Sequence, residues 1–456
     1  MRRLNVVLIF IFLSLTLLKG QDEEKVLRAL YDEALTNHEA YENLRYLCKN
    51  TAGRIAGTPE AAAAVEFTKQ VLSRMNLDSV YLQELVVPHW ERGNIEYAMI
   101  SSSKLGSTQL NISALGKSIG TGKTGITARL VEVKSFDELG QLGEKGIKGK
   151  IVFFNRPMDP KNIQTFQAYG AAVSQRTQGA AEAARYGAIG AIVRSVTTAR
   201  DDFPHTGVMY YKDGIAQVPA VSVSTNDADL LSEWFKQDPE LYLHFVSTCR
   251  NLPDETSYNV VGEIRGVELP DQIITIGAHL DAWDSGEGAH DDGAGCIQSI
   301  EVLRLFKMLG IQPKRTIRAV MFMDEEIGQS GARKYAELAG VNSENHYAAI
   351  ESDRGALTPM GFGFGAEGER LEALLALQKY FDPYKMKDFR KGGGGADIGP
   401  LSAYDALLIS FIPDIQRYFD FHHSPNDTFE QVNERELQMG SAAIAALIYL
   451  IDKYDL

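Results

Sequence analysis

Histidine and carboxylate residues stand directly after apolar runs that have the composition of buried strands. The run Ile273–Ala278 ends in His279 and Asp281. A glycine-rich loop then brings Asp291 and Asp292 to the start of a helical pattern. Imidazole nitrogens and carboxylate oxygens are common zinc ligands, and open α/β sheets bind ligands beyond the carboxyl ends of their strands. This stretch therefore predicts a metal site.

Three further stretches could supply the remaining ligands. They are Asp324, Glu325 and Glu326 after a buried run, Glu351–Asp353 after another, and the histidine-rich loop His422–Thr428 near the C-terminus. Each stretch alone is also compatible with a solvated turn or surface loop. Together they add histidines and carboxylates at successive strand ends, which favours a metal site with one glutamate left free as a general base.

The residue types of the first stretch suggest separate roles. His279 can offer a neutral ring nitrogen to a cation, and Asp281 can accept the other ring N–H and so fix the tautomer. Asp291 lies close to glycines and could bridge two cations. The alternative for Asp291 or Asp292 is a helix cap, and both roles can coexist. His290 is interpreted as a neighbour of the site rather than a ligand.

The elements around these residues alternate between strand and helix patterns from residue 257 to residue 454. Near-continuous apolar strands are typical of a parallel sheet that is buried on both faces. We therefore predict an α/β fold with a mostly parallel sheet sandwiched by helices. Upstream of this region, Pro88–Gly93 is predicted to be a turn between two strands.

The chain length of 456 residues favours two domains. Composition shifts at the glycine-rich stretch Gly116–Gly125, which is a plausible linker. We predict a main domain formed by residues 21–119 and 250–456, with an α/β domain inserted at residues 120–249. The insert carries no cluster of metal-ligand residues in its sequence, and its His205 and His244 are interpreted as solvated or core residues.

Charge and the N-terminal pattern limit the partners and the location. The formal net charge of −14 argues against a nucleic-acid partner. Arg2 and Arg3 precede the apolar run Val6–Leu18, which predicts an export signal at residues 1–20. The run is too short to span a bilayer comfortably, so no stable membrane insertion is expected. We therefore expect a periplasmic or secreted protein, with an uncleaved anchor as the alternative.

The three cysteines cannot all pair within one chain. Export would permit one disulfide, and Cys48 and Cys249 are the two residues outside the core helix that carries Cys296. The alternative is three buried thiols. The sequence leaves both possibilities open.

Seven motifs occur in a fixed order along the chain. They are PHWERG at Pro88, the HxD element at His279, DDGxG at Asp291, DEExGxxGA at Asp324, ESDRG at Glu351, GGGGADI at Gly392 and HHSxxDT at His422. This series resembles the zinc exopeptidase family that includes bacterial leucyl-type aminopeptidases and glutamate carboxypeptidase, most closely its carboxypeptidase Q branch. The similarity covers nearly the whole mature chain, and the insert resembles the protease-associated domain common in that family.

The resemblance implies two zinc ions per chain. Their ligands would be His279, Asp291 and Asp353 for one ion, and Asp291, Glu326 and His423 for the other. Glu325 matches the general base of the family, and Asp281 matches the outer partner of the first histidine. His422 is a candidate oxyanion donor, in a position where some relatives have tyrosine. The implied oligomer is a homodimer.

The implied reaction is the hydrolysis of small unblocked peptides, dipeptides above all, by a metal-bridging hydroxide that Glu325 generates. An aminopeptidase is the alternative within the same class. Asp397 could hold a substrate ammonium, and Arg354 or Arg390 could meet a substrate carboxylate. A non-catalytic, receptor-like role is disfavoured because every ligand position and the base are retained. The sequence lacks the HExxH motif of thermolysin-like enzymes, and its one G-x-S-x-G match, at Gly116, lies in the glycine-rich linker rather than in a strand-to-helix nucleophile elbow.

Overall fold

The computed structural model describes residues 23–456, so the predicted export signal at residues 1–20 lies outside the described residues. Their helices are α1 (residues 23–36), α2 (Glu39–Asn50), α3 (Pro59–Ser73), α4 (Phe136–Ile147), α5 (Thr165–Ala172), α6 (Ser174–Ala184), α7 (Thr225–Gln237), α8 (Ala294–Met308), α9 (Ser330–Val341), α10 (Gly368–Leu375), α11 (Gln378–Phe381), α12 (Tyr418–Phe421) and α13 (Glu434–Tyr454). None of these described helices is both long and apolar enough to cross a membrane.

The strands form two sheets of eight strands each. In chain order they are β1 (Ser79–Glu91), β2 (Glu96–Ser102), β3 (Gly106–Leu110), β4 (Ile112–Ala114), β5 (Ile126–Val133), β6 (Ile151–Phe154), β7 (Gly190–Arg194), β8 (Ala220–Val223), β9 (Tyr242–Ser247), β10 (Arg250–Ile264), β11 (Leu269–His279), β12 (Arg315–Phe322), β13 (Asn345–Glu351), β14 (Pro359–Phe364), β15 (Asp388–Lys391) and β16 (Leu407–Pro413).

The first sheet has the order β1-β10-β12-β11-β13-β16-β14-β15. Its four central strands, β12, β11, β13 and β16, are parallel, whereas β1, β10 and β14 pair in antiparallel fashion with their inner neighbours. All eight residues of β12 and the last seven of β11 are buried. The central residues of these strands are mostly apolar because helices cover both faces of the sheet. The predicted α/β fold is confirmed.

The helices on the two faces of the first sheet belong to separate clusters of buried side chains. On one face, α8 and α13 pack together with α1 and α2 in the largest cluster. On the other face, Tyr335 and Ala336 of α9 pack against Val320 and Phe322 of β12. Since side chains alternate along a strand, the central strands contribute to both clusters. This rigid arrangement fixes the position of every loop at the carboxyl edge.

The second sheet has the order β3-β2-β9-β5-β6-β7-β8-β4 and spans residues 96–247, called here the second-sheet unit. Three of its strands, β2, β3 and β4, precede residue 120, where the sequence predicted the insert to begin. β2 pairs with β9 and β4 pairs with β8, so the glycine-rich stretch at 116–125 is a loop inside this unit rather than its border. The second sheet therefore begins before residue 120, and the division of the chain into domains stays a prediction.

Three local points differ from the sequence-based expectations. Pro88–Gly93 is not a turn, because β1 continues to Glu91 and pairs there with Arg250 of β10. Helix α2 was not predicted, although it buries Leu44, Leu47 and Cys48 against the core. All three cysteines are buried free thiols, so the disulfide alternative is wrong.

Candidate metal centre

The parallel strands bring the predicted ligands to one edge of the first sheet. Phe322 at the end of β12 lies beside His279 at the end of β11, and Glu351 at the end of β13 lies beside Gly277 of β11. The loops that follow these three strands therefore begin side by side at one edge of the sheet. The histidine-rich loop before α13 reaches the same edge.

His279 is fixed by its backbone surroundings. Its ring Nδ1 lies 2.9 Å from the main-chain oxygen of Asp281, to which a protonated Nδ1 donates. The other nitrogen, Nε2, then faces carboxylates, at 3.2 Å from Asp291 Oδ1 and 3.6 Å from Asp353 Oδ1. This tautomer leaves a lone pair aimed at the space between the two carboxylates.

Asp281 acts differently from the sequence-based expectation. Its carboxylate is 4.0 Å from the His279 ring, so it does not accept the ring N–H. Instead, Oδ1 accepts the main-chain N–H groups of Asp324 and Glu325 at 2.7 and 3.1 Å, and Oδ2 accepts that of Glu326 at 3.3 Å. The carboxylate therefore holds the turn that carries the two glutamates.

Asp291 lies between the two histidine groups. Its Oδ1 faces His279, and its Oδ2 is 3.3 Å from Nε2 of His423. Its main-chain N–H donates to Oδ2 of Asp427 at 3.1 Å. A carboxylate with one oxygen directed to each side has the geometry of a bridging ligand.

Asp292 has the structural role that the sequence allowed. It is joined to Asp291 by a cis peptide bond. One of its oxygens accepts the N–H of Gly295 in the first turn of α8 at 3.0 Å, and the other accepts the N–H of His279 at 3.2 Å. His290 is buried and stacks on Phe421, so it is a neighbour of the ligands.

Glu326 and His423 form the second group. The Oε2 atom of Glu326 is 3.0 Å from Nε2 of His423. The Nδ1 atom of the same ring lies 3.4 Å from the main-chain oxygen of Thr206, which belongs to the second-sheet unit. His423 and Asp324 both have left-handed backbone conformations, with φ of 61° and 71°. Such strain in non-glycine residues is often found at functional sites.

The arrangement fits zinc in both spacing and charge. Ligands held about 2.0 Å from a tetrahedral zinc ion are roughly 3.3 Å apart, and the four nitrogen–oxygen distances of the two groups run from 3.0 to 3.6 Å. Asp291, Glu326 and Asp353 each have a buried carboxylate oxygen without a hydrogen-bond partner. Buried carboxylates at this range repel one another unless cations lie between them.

Glu325 stands apart from both ligand groups but opens into the same cavity. Burial raises the pKa of its carboxyl to about 8, against the opposing influence of His279. Cations bound at the ligand groups would lower this pKa again, so that Glu325 would be a carboxylate near neutral pH. A carboxylate with a pKa near the working pH is suited to accept and return a proton.

His422 stacks on His423 with 3.5 Å between ring centroids. Its Nε2 atom is 3.9 Å from Asp291 Oδ2, farther than that of His423, which supports the choice of His423 as the ligand. Burial lowers the pKa of His422 to about 3, so the ring is neutral. Its role as an oxyanion donor stays a prediction.

The ligand groups open into a cavity of about 540 Å³. The second-sheet unit contributes much of its lining, through Lys117, Phe166, Tyr169, Arg176, Val208 and Tyr210. Sequence reasoning missed these residues. His205 of the same unit is buried and its Nδ1 lies 2.7 Å from the main-chain oxygen of His422, so this core histidine also connects the unit to the histidine-rich loop.

The residues that were predicted to bind the substrate termini are less well placed for that role. Asp397 is only 1 % exposed and is not among the described residues that line the cavity. Arg390 lies on the edge strand β15, where it pairs with Asp388 at 3.4 Å. Arg354 is closer to the site, since its guanidinium lies 5.1 Å from the ring of Phe166 in the cavity wall.

Comparison with known proteins assigns the family. Residues 259–448 match the model of peptidase family M28. Carboxypeptidase Q of Bos taurus is 34 % identical over 91 % of this chain and 85 % of its own length, and that of Homo sapiens is 34 % identical over 93 % and 87 %.

Solved structures agree with this assignment. A peptidase M28 precursor from Shewanella amazonensis superposes with a TM-score of 0.90 at 32 % identity, covering 95 % of this chain and 97 % of that one. A zinc aminopeptidase from Bacillus subtilis shares the fold, with a TM-score of 0.65 at 19 % identity over 90 % and 94 % of the two chains. The predicted resemblance and the prediction of a metallopeptidase are confirmed, and the chain belongs to peptidase family M28.

Proposed function

We propose that this protein is a di-zinc exopeptidase that hydrolyses small unblocked peptides, dipeptides above all. The observation that carries the proposal is the position of Asp291 between two groups of ligands, each with the spacing that zinc requires. The free Glu325 shares a 540 Å³ cavity with both groups. A cavity of this size encloses a small ligand rather than a folded protein chain.

Each ligand group has one histidine, one carboxylate of its own and an oxygen of Asp291. His279 and Asp353 would hold the first ion, and Glu326 and His423 the second. Two zinc ions at these positions would lower the pKa of a shared water and polarise the scissile carbonyl. Asp281 and the main-chain oxygen of Thr206 orient these side chains without touching substrate.

The remaining polar groups move or stabilise charge. Glu325 would accept the proton of the attacking water and return it to the amine of the leaving residue. Neutral His422 carries one ring N–H, which could donate to the oxyanion that forms on the former carbonyl oxygen. Hydrolysis in this arrangement needs no covalent bond between enzyme and substrate.

The decisive experiment is chelator-reversible hydrolysis of free dipeptides, with Glu325→Gln as the test variant. We expect activity that a chelator removes and zinc restores, and a loss of about a thousandfold or more in the variant. Metal analysis should give two zinc ions per chain in both proteins. Glu337→Gln, an exposed glutamate of α9 that pairs with Lys334, is the matched control.

Two other outcomes would overturn the proposal. A protein that purifies without zinc and stays inert after zinc is added would fit a receptor-like binding protein. A Glu325→Gln variant as active as wild type would remove the assigned base. Hydrolysis of N-acetylated or C-amidated peptides in place of free dipeptides would keep the metallopeptidase but change the substrate class, with cleavage of the amides favouring an aminopeptidase.

The proposal includes an exported homodimer. The N-terminal pattern of the sequence supports export, and the dimer is what the family resemblance of the motifs implies. N-terminal sequencing of the mature protein should find the first residue near position 21. Light scattering should give a mass of about twice that of the processed chain.

A further inference from the structure

The cavity is lined by basic side chains that have no role in the proposed reaction. Its acidic lining residues are Asp291, Glu325, Glu326 and Asp353, all of which serve the metal site or the base. Its lysine and arginine lining residues are Lys117, Arg176 and Arg333. Among the described residues, none of these three cations has a carboxylate within 4.0 Å. The charges left over for substrate recognition are therefore positive.

Arg176 is the innermost of the three. Its residue exposure is 5 %, whereas Lys117 is half-buried and Arg333 is exposed at the rim. Its Nη1 makes long contacts of 3.4 Å, to the main-chain oxygen of Thr206 and to Nδ1 of His423, and the guanidinium also interacts with the hydroxyl of Tyr169. The buried Nε has no hydrogen-bond partner. A buried guanidinium with unused donors and no counter-ion destabilises the folded protein unless an anion binds to it.

The surroundings of Arg176 hold the guanidinium in place. It lies 5.6 Å from the ring centroid of Tyr169, which also lines the cavity. Gly207 also packs against it, since an added Cβ atom would stand 2.4 Å from the guanidinium carbon. An arginine that is confined by contacts with an aromatic ring and a glycine is preorganised to bind a planar anion.

The position of Arg176 also limits the length of the substrate. Its Nη1 contacts Nδ1 of His423, whose Nε2 faces the ligand carboxylates, so the guanidinium lies one imidazole ring away from the ligand atoms. Consecutive Cα atoms are about 3.8 Å apart. Only the residue directly after the scissile bond can place its carboxylate that close to the reacting carbonyl.

We infer that Arg176 binds the free C-terminal carboxylate of a dipeptide, and that the second-sheet unit thereby selects for dipeptides over longer or amidated peptides. This inference rests on the proposed peptidase function and specifies which terminus is recognised. Lys117 and Arg333 at the outer part of the cavity add positive charge that attracts an anionic substrate.

The test compares Arg176→Met with wild type on a set of free dipeptides and the matching dipeptide amides. We expect wild type to prefer the free acids, and the variant to lose on the order of a hundredfold in kcat/KM for the free acids while keeping its rate on the amides. The ratio of the two rates does not depend on the folded fraction. Arg185→Met, at the exposed end of the same helix α6, should leave the ratio unchanged.

Binding gives a second readout that does not depend on turnover. Calorimetry with a free dipeptide should show binding to zinc-loaded Glu325→Gln and much weaker binding when Arg176→Met is added. Arg176→Lys should restore part of the preference, since it keeps the charge but loses the planar fork.

Two results would overturn the inference, and a third would overturn the proposed function. An unchanged acid-to-amide ratio in Arg176→Met would overturn it, as would a wild type that cleaves amides as fast as free acids. In both cases activity and zinc content would leave the metallopeptidase proposal standing. A wild type that cleaves neither free dipeptides nor their amides, and that binds no zinc, would instead show that the proposed function itself is wrong.

Discussion

The two sides of the cavity are held by different forces. On the ligand side, four acidic side chains converge at the edge of the parallel sheet, and main-chain N–H groups fix the turns that carry them. On the side of the second-sheet unit, neutral hydrogen bonds join two loops, with Thr206 N–H donating to the oxygen of His423 at 2.9 Å and His205 to that of His422 at 2.7 Å. In the proposed function the first side would supply the chemistry, and the second would orient His423 and supply Arg176.

The two sides should therefore respond differently to substitution. Changes on the ligand side should reduce the rate for every substrate, because they alter metal binding or proton transfer. Changes on the second side should alter the choice among substrates or the stability of the contact between the units. Substitutions on each side can contradict or support this distinction.

The largest effect is expected for Asp291→Asn. The amide nitrogen cannot bind a cation, so the bridge between the two ligand groups would be lost. We expect activity to fall by about a thousandfold or more on all peptides, with less than two zinc ions per chain by metal analysis. Full zinc content together with normal activity would show that Asp291 does not bridge. Asp213→Asn, in a loop of the second-sheet unit, is the control.

A smaller effect on the same side is expected for Asp281→Asn. Its carboxylate accepts three main-chain N–H groups from residues 324–326, and an amide replaces one of those acceptors with a donor. We expect a loss of about 10- to 100-fold in activity, equal for free dipeptides and for their amides. A loss confined to one substrate class would contradict the assignment of this residue to the ligand side.

Gly207→Ala tests the second side. A Cβ at this position would displace the Arg176 guanidinium, and the backbone φ of 135° also disfavours alanine. We expect the rate on free dipeptides to fall by about tenfold, with zinc content unchanged. Gly214→Ala has a comparable left-handed backbone, with φ of 75°, but open space around the added atom. This control should lower stability slightly and leave the substrate preference alone.

Most of the ligand side could be predicted from the sequence for a physical reason. Each ligand loop follows a continuous apolar run, and parallel strands place their carboxyl ends at one edge, so strand order was not needed to bring His279, Glu326 and Asp353 together. The family motifs then distinguished Glu325 from Glu326, which spacing alone left open. The tautomer of His279 was anticipated, but the group that fixes it is a main-chain oxygen, which no side-chain pattern reveals.

The second side could not be predicted because its contacts leave little trace in the sequence. The groups that orient His422 and His423 come from residues 205 and 206, more than 200 positions away, and one of them is a main-chain carbonyl. Arg176 stands in a helix of small residues that buries Gly179 and Ala180. A single arginine on such a buried face was the available sign of a functional residue. Its meaning depends on which helix faces the cavity, and the sequence does not show that.

The smallest effect on catalysis is expected from His205→Gln, which probes the contact between the units through pH. Burial lowers the pKa of His205 to about 4, so the folded protein keeps this ring neutral. The unfolded chain binds a proton below about pH 6.5, and this residue therefore costs stability as the pH falls from 6.5 towards 4. Glutamine can donate to the oxygen of His422 without titrating.

Denaturant unfolding of both proteins at several pH values measures this difference. We expect the variant to be less stable at pH 7, where it loses packing, and the gap in unfolding free energy to narrow by about 2 kcal/mol at pH 5. A gap that stays constant would mean that His205 titrates in the folded protein as it does in the unfolded chain. Water would then reach the contact between the loops, and the second-sheet unit could not hold His423 as rigidly as its hydrogen bonds require.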